Sequence, residues 1–145
     1  MPKDPSKRSF HLASESEIKT GQVSDVYFTR TVQILRKLGD RKRAKAEVRV
    51  KSLPTDWQWG VLAGIEEAAT LLEGLPVDVW AMDEGTIFAP YQPVLTIEGV
   101  YVEWAQYETA LLGLLCQASG IATKAARCKR AAGPRQVISF GARRM

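Results

Sequence analysis

From Thr109 to Thr123 the chain has no charged side chain, and this run lies inside a longer segment, Tyr101–Gly133, that constrains everything around it. Tyr107, Leu111, Leu114, Leu115, Ala118, Ala122 and Ala125 recur at steps of three and four, the spacing of one helix face. Leu112 and Cys116 make the opposite face apolar too. A helix apolar most of the way round is a buried one, so the spacing predicts a long central helix covered on several sides. A membrane span is the competing reading. The uncharged run falls short of the ~20 residues that a bilayer core needs, and it contains Gln117, Ser119, Thr123 and two glycines. Lys124, Arg127, Lys129 and Arg130 crowd the last turns, where the helix dipole favours cations. Gly133-Pro134 then stops the helix.

A chain of 145 residues, 46% hydrophobic and with four tryptophans, is large enough for one domain with a real core. Cys116 and Cys128 both fall on the predicted helix. Their separation along it, ~18 Å, is beyond the reach of a disulfide, which suggests a reducing, cytoplasmic compartment. The opening residues, MPKDPSKRSF, are polar and lack the apolar segment of a leader peptide. Charge is sharply segregated. Between Ser52 and Thr123 there are ten acids and no Lys or Arg, so the middle carries −10 and the flanks +14. Basic surfaces at both ends of the chain fit phosphate, nucleic acid or the acidic part of a second copy.

Residues 1–13 read as a loosely docked arm. Ser14-Glu-Ser-Glu17 has the spacing of a capping box, opening a short helix before Gly21. Asp25–Phe28 reads as extended, ahead of a helix over Arg30–Leu38 that Gly39 closes. Asp40–Lys45 reads as a charged turn, and Ala46–Ser52 alternates as a half-buried strand. Helical periodicity covers Trp59–Leu72. Val77–Met82, Thr86–Ala89 and Pro93–Glu98 read as strands, with turns at Asp83–Gly85 and Pro90–Gln92. Beyond the long helix, Gln136–Phe140 reads as a last strand that starts another unit. The order gives an α+β fold: a small, mostly antiparallel sheet with flanking helices and a long buried helix.

Most enzymatic signatures are absent. His11 is the only histidine, which leaves no Ser-His-Asp arrangement and no multi-histidine metal site. No glycine-rich phosphate loop is present. Three stretches stand out. Asp25-Val-Tyr27-Phe28 places two aromatics at a helix entrance, where a core role is the simpler account. Ser139-Phe-Gly-Ala-Arg-Arg144 puts guanidinium groups behind a strand end, where α/β folds hold ligands and where the arginine fork matches carboxylate or phosphate. A solvated basic terminus explains it as easily. Asp83-Glu-Gly-Thr86 is accounted for by a turn.

These stretches, with others, resemble the N-terminal part of nicotinate phosphoribosyltransferases, in the type II phosphoribosyltransferase group. The matching pieces are Glu17–Phe28 (EIKTGQVSDVYF), the Ala46-Glu-Val strand, Asp83–Phe88 (DEGTIF), Pro93–Gly99 (PVLTIEG), Tyr107–Leu112 (YETALL), Ala118–Lys124 (ASGIATK) and Ser139–Arg144 (SFGARR). Each is weak alone; together, in order and at the right distances, they are specific. The resemblance implies an enzyme that joins nicotinate to phosphoribosyl pyrophosphate, with Mg2+ and ATP hydrolysis, giving nicotinate mononucleotide in NAD salvage. It implies residues 1–100 as an N-terminal α/β domain, 101–133 as a connecting helix, and 134–145 as the first strand of an incomplete α/β barrel. It also implies a homodimer with sites shared between subunits. Tyr27 would stack on the pyridine from the neighbouring subunit, Phe140 would form the other face of the sandwich, and Arg143 would hold the ring carboxylate. Arg49 and Arg144 are the phosphate-binding candidates; no catalytic residue and no protein metal ligand is expected.

Members of the family continue for more than another full domain, and their double arginine is usually followed by His-Pro. This chain lacks the remaining barrel strands, the phosphate loops and the histidine that is phosphorylated in ATP-coupled members. It is therefore expected to be inactive alone. Two other readings stand beside this one. One is a basic nucleic-acid-binding module using Arg41–Lys45 and Lys124–Arg130, which lacks an aromatic among those basic residues in sequence. The other is a non-catalytic fragment that pairs with a full-length enzyme.

Overall fold

The stretch Pro93–Val100 forms β5, the middle strand of a three-stranded sheet in the order β1-β5-β3, where β1 is Arg43–Arg49 and β3 is Val77–Ala81. The computed structural model describes residues 13–141. Both neighbours of β5 run antiparallel to it. The side-chain alternation of a strand then sorts the residues into two faces. Ala46, Ile97 and Val79 share one row, as do Val48, Leu95 and Ala81. On this face Ile97 and Leu95 are buried and Ala46 and Val48 pack against the core, while Val79 and Ala81 on the edge strand are exposed. Lys45, Glu98 and Asp78 share a row on the outer face. There Arg43 reaches both Asp78 and Glu98 at 3.3 Å. The ladder shifts register between Val48 and Arg49.

Two short helices precede the sheet. Helix α1, Glu15–Lys19, is opened by Ser14, and the Ser14–Glu17 capping box forms as its spacing predicts. Helix α2 is Val26–Lys37, so Asp25–Phe28 is not extended: Asp25 is the N-cap, and Phe28 and Val32 turn into the core. The strand read at Ala46–Ser52 begins earlier, at Arg43, because Arg43 to Val48 find partners along β5, and the charged turn is confined to what precedes it.

The helix read over Trp59–Leu72 divides. Gly60–Val61 is β2, paired with β4, Ile87–Phe88. Helix α3 is only Ile65–Leu72. Gly64 separates them at φ 91°, and a Cβ there would stand 3.0 Å from the Leu114 carbonyl oxygen. Glycine thus breaks the helix and lets α3 approach its neighbour.

The long helix is also interrupted. Helix α4, Tyr101–Trp104, passes through a 3-10 turn at Ala105–Tyr107 into α5, Glu108–Ala132. Its expected burial is only partly met. Leu111, Leu115 and Thr123 are buried, while Leu112 is 40% exposed, Ile121 46%, and Cys116 is exposed. One stripe of α5 packs on α3 and β2, and Leu112, Cys116 and Ile121 lie exposed outside it. The sequence shows an apolar helix all round; this chain supplies cover for one side. Among the described residues no helix is long and apolar enough to cross a membrane. Gln136–Phe140 forms no strand. It pairs with no described strand, and Val137, Ile138 and Phe140 are exposed.

The core gathers Leu62, Leu71, Leu72, Phe88, Leu95, Ile97, Trp104, Tyr107, Leu111 and Leu115. It lies between the sheet, α3 and the first half of α5.

Candidate functional site

Tyr27 stands in the first turn of α2 and is 56% exposed, its ring 4.1 Å from that of Phe28 and tilted by 41°. The core reading holds for Phe28 and fails for Tyr27. Two bonds fix where this turn lies. The Asp25 amide donates to Thr109 Oγ1 at 3.1 Å, and the Thr109 hydroxyl donates back to Asp25 Oδ2 at 3.1 Å. Asp25 makes no side-chain cap bond to its own helix; its carboxylate serves this tertiary contact instead. Tyr101 and Glu108 share the neighbourhood. Desolvation raises the Tyr27 phenol above its ordinary pKa, and the negative charges of Asp25 and Glu108 add to it. Desolvation, then Glu108 and Tyr27, raise Tyr101 likewise. Burial raises the Glu108 carboxyl. The surroundings of Tyr27 are thus acidic, and both phenols are neutral near pH 7.

Phe140 follows the far end of α5 and is 94% exposed. Tyr27 is tied to the first turn of that helix, whose 25 residues span ~37 Å. The two rings are not brought together in this chain. Arg49 lies on β1, exposed and paired with Glu47. Arg143 and Arg144 lie outside the described residues, as does His11. Asp83-Glu-Gly85 is a turn, as read, and within it Glu84 caps α3. Its two carboxylate oxygens accept from the Gly64 and Ile65 amides at 2.9 Å.

Two features escaped sequence reasoning. Ser119 and Thr123, one turn apart on α5, hydrogen-bond the backbone of β2 and the residues after it. Thr123 Oγ1 accepts from the Val61 amide at 2.8 Å, and Ser119 Oγ accepts from the Ala63 amide at 3.0 Å and donates to the Ala63 carbonyl at 3.1 Å. The signal was present: two hydroxyls at i and i+4 in an otherwise apolar run. The second feature corrects the view that no aromatic accompanies the basic cluster. The Arg127 guanidinium lies 4.0 Å from the Trp57 ring and 4.2 Å from the Trp59 ring, and it donates to the Trp59 carbonyl at 3.1 Å. Lys124 approaches Trp57 at 5.6 Å. Sequence separation hid the contact, since the tryptophans belong to the loop before β2.

Comparison with known proteins shows three kinds of likeness. Residues 25–119 match the family model described as quinolinate phosphoribosyl transferase, N-terminal domain. A nicotinate phosphoribosyltransferase of Mycobacterium tuberculosis is 27% identical over 99% of this chain and 38% of its own length. One from Dictyostelium discoideum is 33% identical over 77% of this chain and 19% of its own length. The crystal structure of nicotinate-nucleotide pyrophosphorylase from Pyrococcus furiosus superposes with TM-score 0.92 at 58% identity, over 95% of this chain and 36% of that one. The human nicotinic acid phosphoribosyltransferase, at 24% identity and TM-score 0.70, shares the fold. The chain therefore spans no more than 38% of the length of any of these relatives.

Proposed function

We propose a function from one premise: the chain belongs to the quinolinate phosphoribosyl transferase N-terminal domain family. It is the N-terminal portion of a nicotinate phosphoribosyltransferase, which joins nicotinate to phosphoribosyl pyrophosphate with ATP hydrolysis and yields nicotinate mononucleotide for NAD salvage. In the longer protein residues 1–100 would belong to its α/β domain and 101–133 would be the connecting helix. Residues 134–145, where 136–140 form no strand in this chain, would become the first strand of a barrel only once other barrel strands are there to pair with it. The nicotinate phosphoribosyltransferases among its relatives support this reading.

The observation that carries it is the placement of two open rings. Tyr27 and Phe140 are both exposed and belong to opposite ends of α5. A pyridine sandwiched between them takes one ring from each of two copies, so the working unit is a homodimer. In that arrangement Arg143 binds the ring carboxylate through a charge-assisted fork, while Arg49 and Arg144 bind phosphate oxygens. A ring stacked on Tyr27 with its carboxylate turned toward Arg143 keeps that negative charge away from Asp25 and Glu108. Among the described residues no group of three or more His, Cys, Asp or Glu is placed to hold a metal ion. The chain's residues bind and orient nicotinate. Displacement of pyrophosphate belongs to the length of the relatives that these residues do not span.

The test is reconstitution. This chain is mixed with the part of the Pyrococcus furiosus protein that it does not cover, and nicotinate, phosphoribosyl pyrophosphate and ATP are supplied. Chromatography should show nicotinate mononucleotide from the pair and none from the chain alone. Product from quinolinate but not from nicotinate overturns the assignment.

A further inference from the structure

The geometry points to Asp25 and Thr109 as positioning residues: their two crossed hydrogen bonds set where the Tyr27 ring stands for its ligand. The inference rests on the reading of Tyr27 as the stacking residue. An aspartate at an N-cap ordinarily accepts from the amides of its own helix. Here that bond is absent, and the carboxylate accepts from Thr109 at 3.1 Å while the Asp25 amide donates to the same hydroxyl at 3.1 Å. The two residues lie 84 apart in sequence. The pairing therefore fixes the first turn of α2 against the first turn of α5, in rotation as well as distance. Tyr27 is two residues from this bracket. The outward ring has Phe28 as its described aromatic neighbour, in the same turn; α2 also packs on α4 and the 3-10 turn, and the bracket adds the polar tie at the end of α2 that carries Tyr27. A loosely hung ring must be ordered each time a pyridine stacks on it, and binding energy lost in that way raises KM more than it lowers kcat.

The experiment needs no nicotinate for its first arm. The chain is labelled at tyrosine Cζ and titrated by NMR, with Thr109→Val, Thr109→Ser and Asp25→Asn beside the wild type. In the wild type the Tyr27 phenol titrates above the ordinary value. T109V removes both bonds at nearly constant volume, and the titration falls back toward that value. T109S keeps the hydroxyl and restores it. D25N keeps an acceptor for Thr109 but not the charge, so Tyr27 falls part of the way while its coupling to Tyr101 persists. In the second arm, T109V in the reconstituted enzyme raises KM for nicotinate roughly tenfold or more with kcat less affected, and T109S restores it. If T109V lowers only the melting temperature and leaves the Tyr27 titration and KM unchanged, the bonds are merely structural and the inference fails. If the reconstituted enzyme does not use nicotinate at all, the function fails while the first arm still decides the bracket.

Discussion

Arg127 shows how a single side chain can secure a loop. Its guanidinium sits against two indoles at 4.0 and 4.2 Å and donates to the Trp59 carbonyl. Arginine suits this position because its flat cation stacks as well as donates; a lysine ammonium has no such plane. Cation–π contacts are worth about 0.5–2 kcal/mol each. Arg127→Ala is expected to lower unfolding free energy by about 1–3 kcal/mol and to shift tryptophan emission, with Arg127→Lys restoring neither fully. An R127K chain with wild-type emission and stability would contradict the stacked arrangement. Glu108 gives a pH dependence at the same scale. Burial raises its folded pKa above the unfolded value. The folded state then holds the proton more tightly, so this group favours folding below the unfolded carboxylate pKa, and the advantage is lost as pH rises through the folded one. Thermal melts of Glu108→Gln and wild type should coincide in acid and separate at neutral pH, with the variant higher. A lower melting point for the variant at neutral pH would show that the helix dipole outweighs burial.

Among the elements, α5 does more than pack. Strand β2 is two residues long and pairs with β4, and its other edge is closed by the hydroxyls of α5 rather than by a strand. Thr123 is 3% exposed and accepts from the Val61 amide at 2.8 Å. Thr123→Val keeps the shape and leaves that amide without an acceptor, which costs about 1–3 kcal/mol. Denaturant unfolding of T123V beside T123S checks it; a T123V chain as stable as wild type would mean that the hydroxyl is dispensable. These contacts also show what was legible in sequence. The capping box at Ser14 and the strand at Val77 declare themselves through local chemistry, and both were readable. The extent of α2 was not, because Asp25 spends its carboxylate on Thr109 rather than on its own helix. Nor was the break at Gly64, since helical periodicity runs through Val61 while β4 claims that residue for a ladder. The exposed half of α5 was not legible either, because periodicity reports which faces are apolar, and not whether this chain holds anything to cover them. Of the site, Tyr27 and Phe140 were named from resemblance alone; their exposure and separation needed the fold.

Across the whole molecule, the segregated charge is partly neutralised within the chain. Strand β1 comes from the basic flank and lies against acidic β5, and Arg41 reaches Glu103 at 2.8 Å while Arg43 spans Asp78 and Glu98. These are exposed pairs of small individual worth, and they leave two stretches basic with no acid among them: Lys124, Arg127, Lys129 and Arg130 at the end of α5, and Arg30, Arg36 and Lys37 on α2. The open side of α5, the exposed Val137–Phe140 segment and the open face of Tyr27 are the surfaces to which the remaining length of the relatives, or a second copy, would bring cover. The central claim is that the pyridine site is shared between copies. Its most direct measurement is subunit mixing in the reconstituted enzyme, with Tyr27→Ala on one set of chains and Arg143→Ala on the other. Each variant alone should be nearly inactive. If the site is shared, equal mixing pairs half the molecules as hybrids, each with one intact site, and restores about a quarter of wild-type nicotinate turnover. If mixing restores nothing while the hybrids demonstrably form, Tyr27 and Arg143 serve the same copy and the account is wrong.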